Sequence, residues 1–135
     1  MNSQRTPRGI RNNNPLNIRI GNTWLGEVPN PTDSQFEQFV SVRYGLRAAF
    51  CILRRYIRRY NRNTISTIIS AWAPVTENAT QRYIDVVVQR MGLPADTPIK
   101  YEDKETMVRL VEAMAFVENG CHLTVDDINQ AYDIA

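Results

Sequence analysis

Cysteine and histidine are nearly missing from this chain of 135 residues, which holds two of the first and one of the second. Two cysteines, Cys51 and Cys121, are too few for a disulfide framework. With a single histidine beside them, a structural zinc site is a poor fit, and no metal or other cofactor is expected. The thiols are also badly placed for a cysteine nucleophile. Cys51 is expected inside a helix and Cys121 is the sequence neighbour of His122, whereas an activated thiolate needs a base facing it in space or a helix N-terminus. No apolar run approaches the ~20 residues that cross a bilayer, so membrane insertion is not expected. The opening segment, Met1 to Arg8, leads into no signal-peptide core. A protein made this way in the cytoplasm needs a holin, a virion or a secretion machine to act at a cell wall. Internal repeats and low-complexity linkers are lacking too.

Acidic residues are missing from one long stretch: none lies between Glu37 and Glu77. Residues 1–76 carry 11 Lys+Arg against 3 Asp+Glu, a balance of +8, and residues 77–135 carry 5 against 11, a balance of −6. The first half is therefore the one that favours anionic partners. What is left is the make-up of an ordinary globular protein, 43% hydrophobic and 22% charged, long enough for one domain over 1–135.

Turn formers crowd the first forty residues. Leu16 to Ile20 alternates with period two, Gly21-Asn22 is a hairpin-turn dipeptide, Thr23-Trp24-Leu25 returns, and Gln35 to Val40 reads as a third short strand. The expectation is a small β-hairpin lobe over about 10–40. Helical periodicity takes over afterwards, with five helices over about 41–134: 41–60, 64–73 stopping at Pro74, one opening at Asn78 and Gln81 and closing at Gly92, 103–120, and one from Thr124. The fold class this predicts is α+β, mainly helical.

Three features call for chemistry. Arg43, Arg47, Arg54, Arg55, Arg58, Arg59 and Arg62 fall on or just after the first long helix, opposite its apolar stripe. They form either a solvated face balancing the acidic half or a surface for an anionic polymer, which could be nucleic acid or a cell wall bearing free carboxylates. Tyr56 and Tyr60 belong to the apolar stripe, which makes nucleic acid the less favoured partner. Second, Glu118 continues the apolar stripe of Met107, Leu110, Val111, Met114 and Val117. It also lies in a last turn, where the helix dipole disfavours negative charge. Burial at a helix C-terminus raises a carboxyl pKa, as a general acid requires; a frayed last turn with Glu118 in solvent is the plainer alternative. Third, Asn12-Asn13-Asn14-Pro15 leads into the hairpin segment with Arg19 and Trp24. Amides that both donate and accept suit sugar hydroxyls, and an indole face suits a pyranose.

The run Asn12 to Arg19, with Trp24-Leu25-Gly26, Phe36 to Phe39, Tyr44 to Ala49, Trp72-Ala73-Pro74 and Glu77 to Ile84, resembles small phage- and prophage-encoded lysis or virion proteins over most of the chain. Its first part is also similar to the Asn-Asn-Leu-Phe-Gly-Ile-Lys stretch of autolysin-type glucosaminidases of the lysozyme superfamily, enzymes that cut peptidoglycan glycan strands. In that superfamily the catalytic glutamate ends a helix ahead of the Asn-Asn segment, and only eleven residues precede Asn12 here. Leu110 to Gly120 resembles that helix, so a circular permutation would bring Glu118 to the expected place. The resemblance implies a lysozyme-like peptidoglycan glycosidase of muramidase, glucosaminidase or lytic transglycosylase type. Glu118 would be its proton donor, Glu27 the second carboxylate ahead of Asp33 or Glu37, and Asn12, Asn13, Asn14, Trp24 and Arg19 its substrate-binding residues. Its partners would be peptidoglycan strands and other virion proteins. A non-catalytic virion or wall-binding protein and a nucleic-acid-binding module are the alternatives.

Overall fold

The computed structural model describes residues 6–73 and 76–135. Among them are six helices: a single turn α1 (Arg8–Arg11), then α2 (Val42–Arg59), α3 (Ile65–Trp72), α4 (Glu77–Met91), α5 (Lys104–Asn119) and α6 (Val125–Asp133). None is long and apolar enough to cross a membrane. Side chains and glycines set the ends. Thr64 and Thr67 form a reciprocal capping box on α3, and the side chains of Asp103 and Thr124 accept backbone N–H bonds at the starts of α5 and α6. Gly92 and Gly120 close α4 and α5 in the left-handed conformation. The cap of α4 is Thr76, whose side chain accepts from Ala79 N, rather than the expected Asn78. The expected stop at Pro74 lies outside the described residues.

The core is one continuous cluster. Leu46, Phe50 and Leu53 of α2 meet Ile65, Ile68 and Ile69 of α3, Val87 of α4, Met107, Leu110 and Met114 of α5, and Ile128 of α6. Helix α2 packs on α6, α4 packs on α5 and α3, and α5 lies against α6 and α1.

The expected β-hairpin lobe does not form, and the fold is all-helical rather than α+β. Residues 12–41 are irregular, and the described residues contain three isolated β-bridges but no sheet: Arg19 with Phe36, Glu27 with Phe39, and Thr64 with Pro98. The physical reasons are local. Asn13 and Asn17 adopt left-handed backbone conformations, φ 53° and 54°, which interrupt an extended run. Ile20 and Leu25, which a hairpin would turn toward a second layer, are half or more exposed, at 50% and 60%. Side-chain amides stand in for a ladder instead. Asn14, fully buried, donates through Nδ2 to the carbonyls of Ile18 and Glu37 and accepts from Ile18 N through Oδ1. The Ile18 N–H and the Glu37 carbonyl would otherwise lack a partner at a costly depth, while the Ile18 carbonyl also accepts from Glu37 N at 3.0 Å. Gly45 seats this segment on α2, because a Cβ there would come within 1.9 Å of the Asn13 carbonyl oxygen.

Candidate functional site

Helix α5 delivers Glu118 as its sequence pattern requires. Met107, Leu110, Val111 and Met114 are buried on the inner face, and Glu118 follows them in the last turn, half-buried. Two side chains hold its carboxylate. Asn17 Nδ2 donates to Oε1 at 2.8 Å, across 101 positions of sequence, and the Tyr83 hydroxyl of α4 donates to Oε2 at 3.0 Å. The left-handed backbone at Asn17 turns its amide toward α5. The neighbouring Asn119 reinforces the seam by donating to the Pro15 carbonyl at 2.7 Å. Gly9 of α1 lies so close that a Cβ would meet Asn119 Oδ1 at 2.6 Å.

Burial pushes the Glu118 carboxyl above its ordinary value, against the lowering pull of the Asn17 and Tyr83 hydrogen bonds. Burial, followed by the charge and hydrogen bond of Glu118, pushes the Tyr83 phenol well up. The pair therefore keeps its protons better than either group would in water. No carboxylate among the described residues perturbs Glu118, which stands as an isolated acid.

The other residues singled out in the sequence lie elsewhere or are engaged in the fold. Asn12 and Asn14 are buried. Asn12 donates to Asp33 Oδ2 and accepts from Gln38, while Asn13 donates to the Phe39 carbonyl. Their amides bind the chain itself, and it is Asn17, from the same motif, that reaches Glu118. Arg19 is exposed and lies over the Phe36 ring, 4.7 Å from its centroid. Glu27 accepts a hydrogen bond from Trp24 N at 2.6 Å and faces Glu37. Burial first, and then the charge of Glu27, raises the Glu37 carboxyl, whose Oε2 has no partner among the described residues. Asp33 is held well below the usual carboxylate range, chiefly by the Arg8 guanidinium at 2.7 Å. Both cysteine thiols are free, and the described residues contain no cluster of metal-ligating side chains. Asn17 and Tyr83 are the site residues that sequence reasoning missed. Asn17 and Tyr83 each carried only a resemblance stretch as a signal, since the role of Tyr83 depends on how α4 packs against α5.

Trp24 does not face Glu118 together with the Asn12–Asn14 amides. It lines a separate open cleft of about 950 Å³ along the outer face of α2, with Arg47, Arg54, Arg55, Arg58 and Arg59. Tyr56 and Tyr60 share that wall, and Tyr60 is 54% exposed.

No protein-family profile matches the sequence. A phage protein does: over 131 residues the two chains are 38% identical, an alignment spanning 93% of this chain and 80% of its relative, and the chain belongs to that phage protein family. The relative is Protein P5 of Pseudoalteromonas phage PM2. The relationship shown is to a phage protein.

Proposed function

We propose that this phage-family protein is a peptidoglycan glycosidase, with Glu118 as the proton donor to the glycosidic oxygen. One observation carries the reading: a half-buried carboxyl, raised above its ordinary value, is fixed by two donors at the seam between the asparagine motif and the end of α5. In the reaction the Glu118 proton goes to the leaving oxygen as the bond from the anomeric carbon to that oxygen breaks, and the anomeric carbon is captured by water or by a hydroxyl of the same sugar, whose proton passes to the Glu118 carboxylate and restores the acid. A nucleophile on the substrate is the better match, because Glu27 accepts from Trp24 N and is coupled to Glu37. This points to lytic transglycosylase-type chemistry over a two-carboxylate hydrolase using Glu27. Asn17 and Tyr83 would then position the acid.

The test is Glu118→Gln on purified peptidoglycan. The amide keeps the volume, its oxygen can still accept from Asn17 while its NH2 donates to the Tyr83 hydroxyl, but it has no acidic proton to deliver. Release of soluble fragments should fall by about two to four orders of magnitude. Glu105→Gln, exposed near the start of the same helix, should leave the rate unchanged. Undiminished lysis by Glu118→Gln rules out the assignment.

A second reading has its own support. Both Glu118 oxygens are occupied, and the Asn12, Asn13 and Asn14 amides are engaged within the fold, as in a non-catalytic phage structural or wall-binding protein. Wild-type protein inert on walls from several bacterial species, yet retained by them, would establish it.

A further inference from the structure

The cleft beside Trp24 is lined by five arginines, and the role given to Glu118 does not use it. Its guanidiniums differ in how far they are committed. Arg58 pairs with Glu102 at 2.5 Å, and Arg54 and Arg58 both lie over the Tyr101 ring. Arg47 donates to the Ile134 carbonyl. Arg55 and Arg59 are exposed and make no hydrogen bond or ion pair among the described residues. They lie four positions apart on one helix, so their side chains are neighbours about 6 Å apart along the axis.

The cleft also connects to Glu118 through packed side chains. Tyr56, on its wall, meets the Trp72 ring edge-on with centroids 6.1 Å apart. Trp72 Nε1 donates to the Leu16 carbonyl at 3.2 Å, and the next residue, Asn17, holds Glu118. Guanidiniums match carboxylates bidentately, and an indole and two phenols among them offer flat faces for sugar rings.

We infer that this arginine cleft binds the free carboxylates of peptidoglycan stem peptides, holding the glycan strand for Glu118. The inference rests on the reading of the chain as a wall-acting protein. Nucleic acid is the competing ligand for such a surface. The wall-acting reading makes stem-peptide carboxylates the occupant argued for.

The experiment measures retention on purified sacculi in the Glu118→Gln background, so that nothing is cut during the measurement. Untreated sacculi are compared with sacculi whose carboxylates have been amidated. Retention at low salt should weaken at least tenfold on amidated walls. It should weaken equally when Arg55→Gln and Arg59→Gln are introduced, and the difference should shrink in high salt. Both arginines are exposed, so the double variant should unfold at the parent temperature. Equal retention of parent and double variant, or indifference to amidation, overturns the inference. So does displacement from the walls by an oligothymidylate at lower concentration than by polyglutamate of equal charge, which would make the cleft a nucleic-acid site. The wild type is assayed for cleavage on the same walls. Carboxylate-dependent retention without cleavage would remove the glycosidase reading and leave the cleft assignment standing.

Discussion

Residues 6–41 and residues 42–135 of this chain solve the same problem in different ways. In the second region backbone donors and acceptors pair within helices, and the helices are held by apolar side chains such as Phe50, Leu53, Ile68 and Met114, all fully buried. In the first region there is one helical turn and almost no regular pairing. Its backbone groups pair singly across loops, and side chains supply the rest: Asn13 and Asn14 bond carbonyls and an N–H, and an Asp33 carboxylate accepts from Arg8, Asn12, Gln35 N and Phe36 N. Polar side chains there do the structural work that apolar ones do in the helices. Mutational sensitivity should therefore follow opposite chemistry in the two regions.

The largest expected effect is in the helical region. Phe50→Ala removes a ring that is fully buried and set edge-on to Tyr132, 5.3 Å between centroids. The loss should be about 3–5 kcal/mol, read as a shift of the urea midpoint at constant slope. A loss below about 1 kcal/mol would mean that the core collapses around the gap.

The matching change in the irregular region is Asn14→Leu, which keeps the size and is more apolar. An apolar-core logic expects stabilisation; the hydrogen bonds to Ile18 and Glu37 require the opposite. The expected cost is about 2–3 kcal/mol, because buried backbone groups lose their partners. A neutral or stabilising result would erase the contrast between the two regions.

The smallest effect sharpens the comparison through pH. The Asp33 carboxyl is lowered in the folded chain, so its contribution to stability is present above the ordinary aspartate value of about 3.9 and fades as pH falls below it. The Glu118 carboxyl is raised, so its contribution is present below the ordinary glutamate value of about 4.3 and fades as pH rises through the raised value. Asp33→Asn should flatten the acid side of a plot of urea midpoint against pH, and Glu118→Gln should flatten the side rising toward neutrality. Identical profiles for the two variants would contradict both assignments.

The two regions also differ in how much their sequences disclose. Thr64, Asp103, Thr124, Gly92 and Gly120 mark helix ends because capping is local chemistry, and the stripe on α5 shows Glu118 as a misfit because period and burial are linked. The alternation from Leu16 to Ile20 pointed the wrong way. Alternation reports a strand only if a second strand or layer receives its apolar face, and Ile20 faces solvent. An Asn-rich run written for internal hydrogen bonds is indistinguishable in sequence from one written for sugar hydroxyls, since the amide chemistry is the same. The partners of Glu118 were hidden for a different reason. Asn17 and Tyr83 reach it from 101 and 35 positions away, through packing that no local pattern encodes.

That first distance also orders events in time. A ribosome releases the chain from its N-terminus, and domains take shape as their segments emerge. Asn17 leaves the ribosome early and must wait for the whole of α5 before its amide finds Glu118. The seam thus forms well after the asparagine motif has been made. Any chemistry that depends on it stays switched off until α5 has emerged, and a chain cut short before position 118 never acquires it.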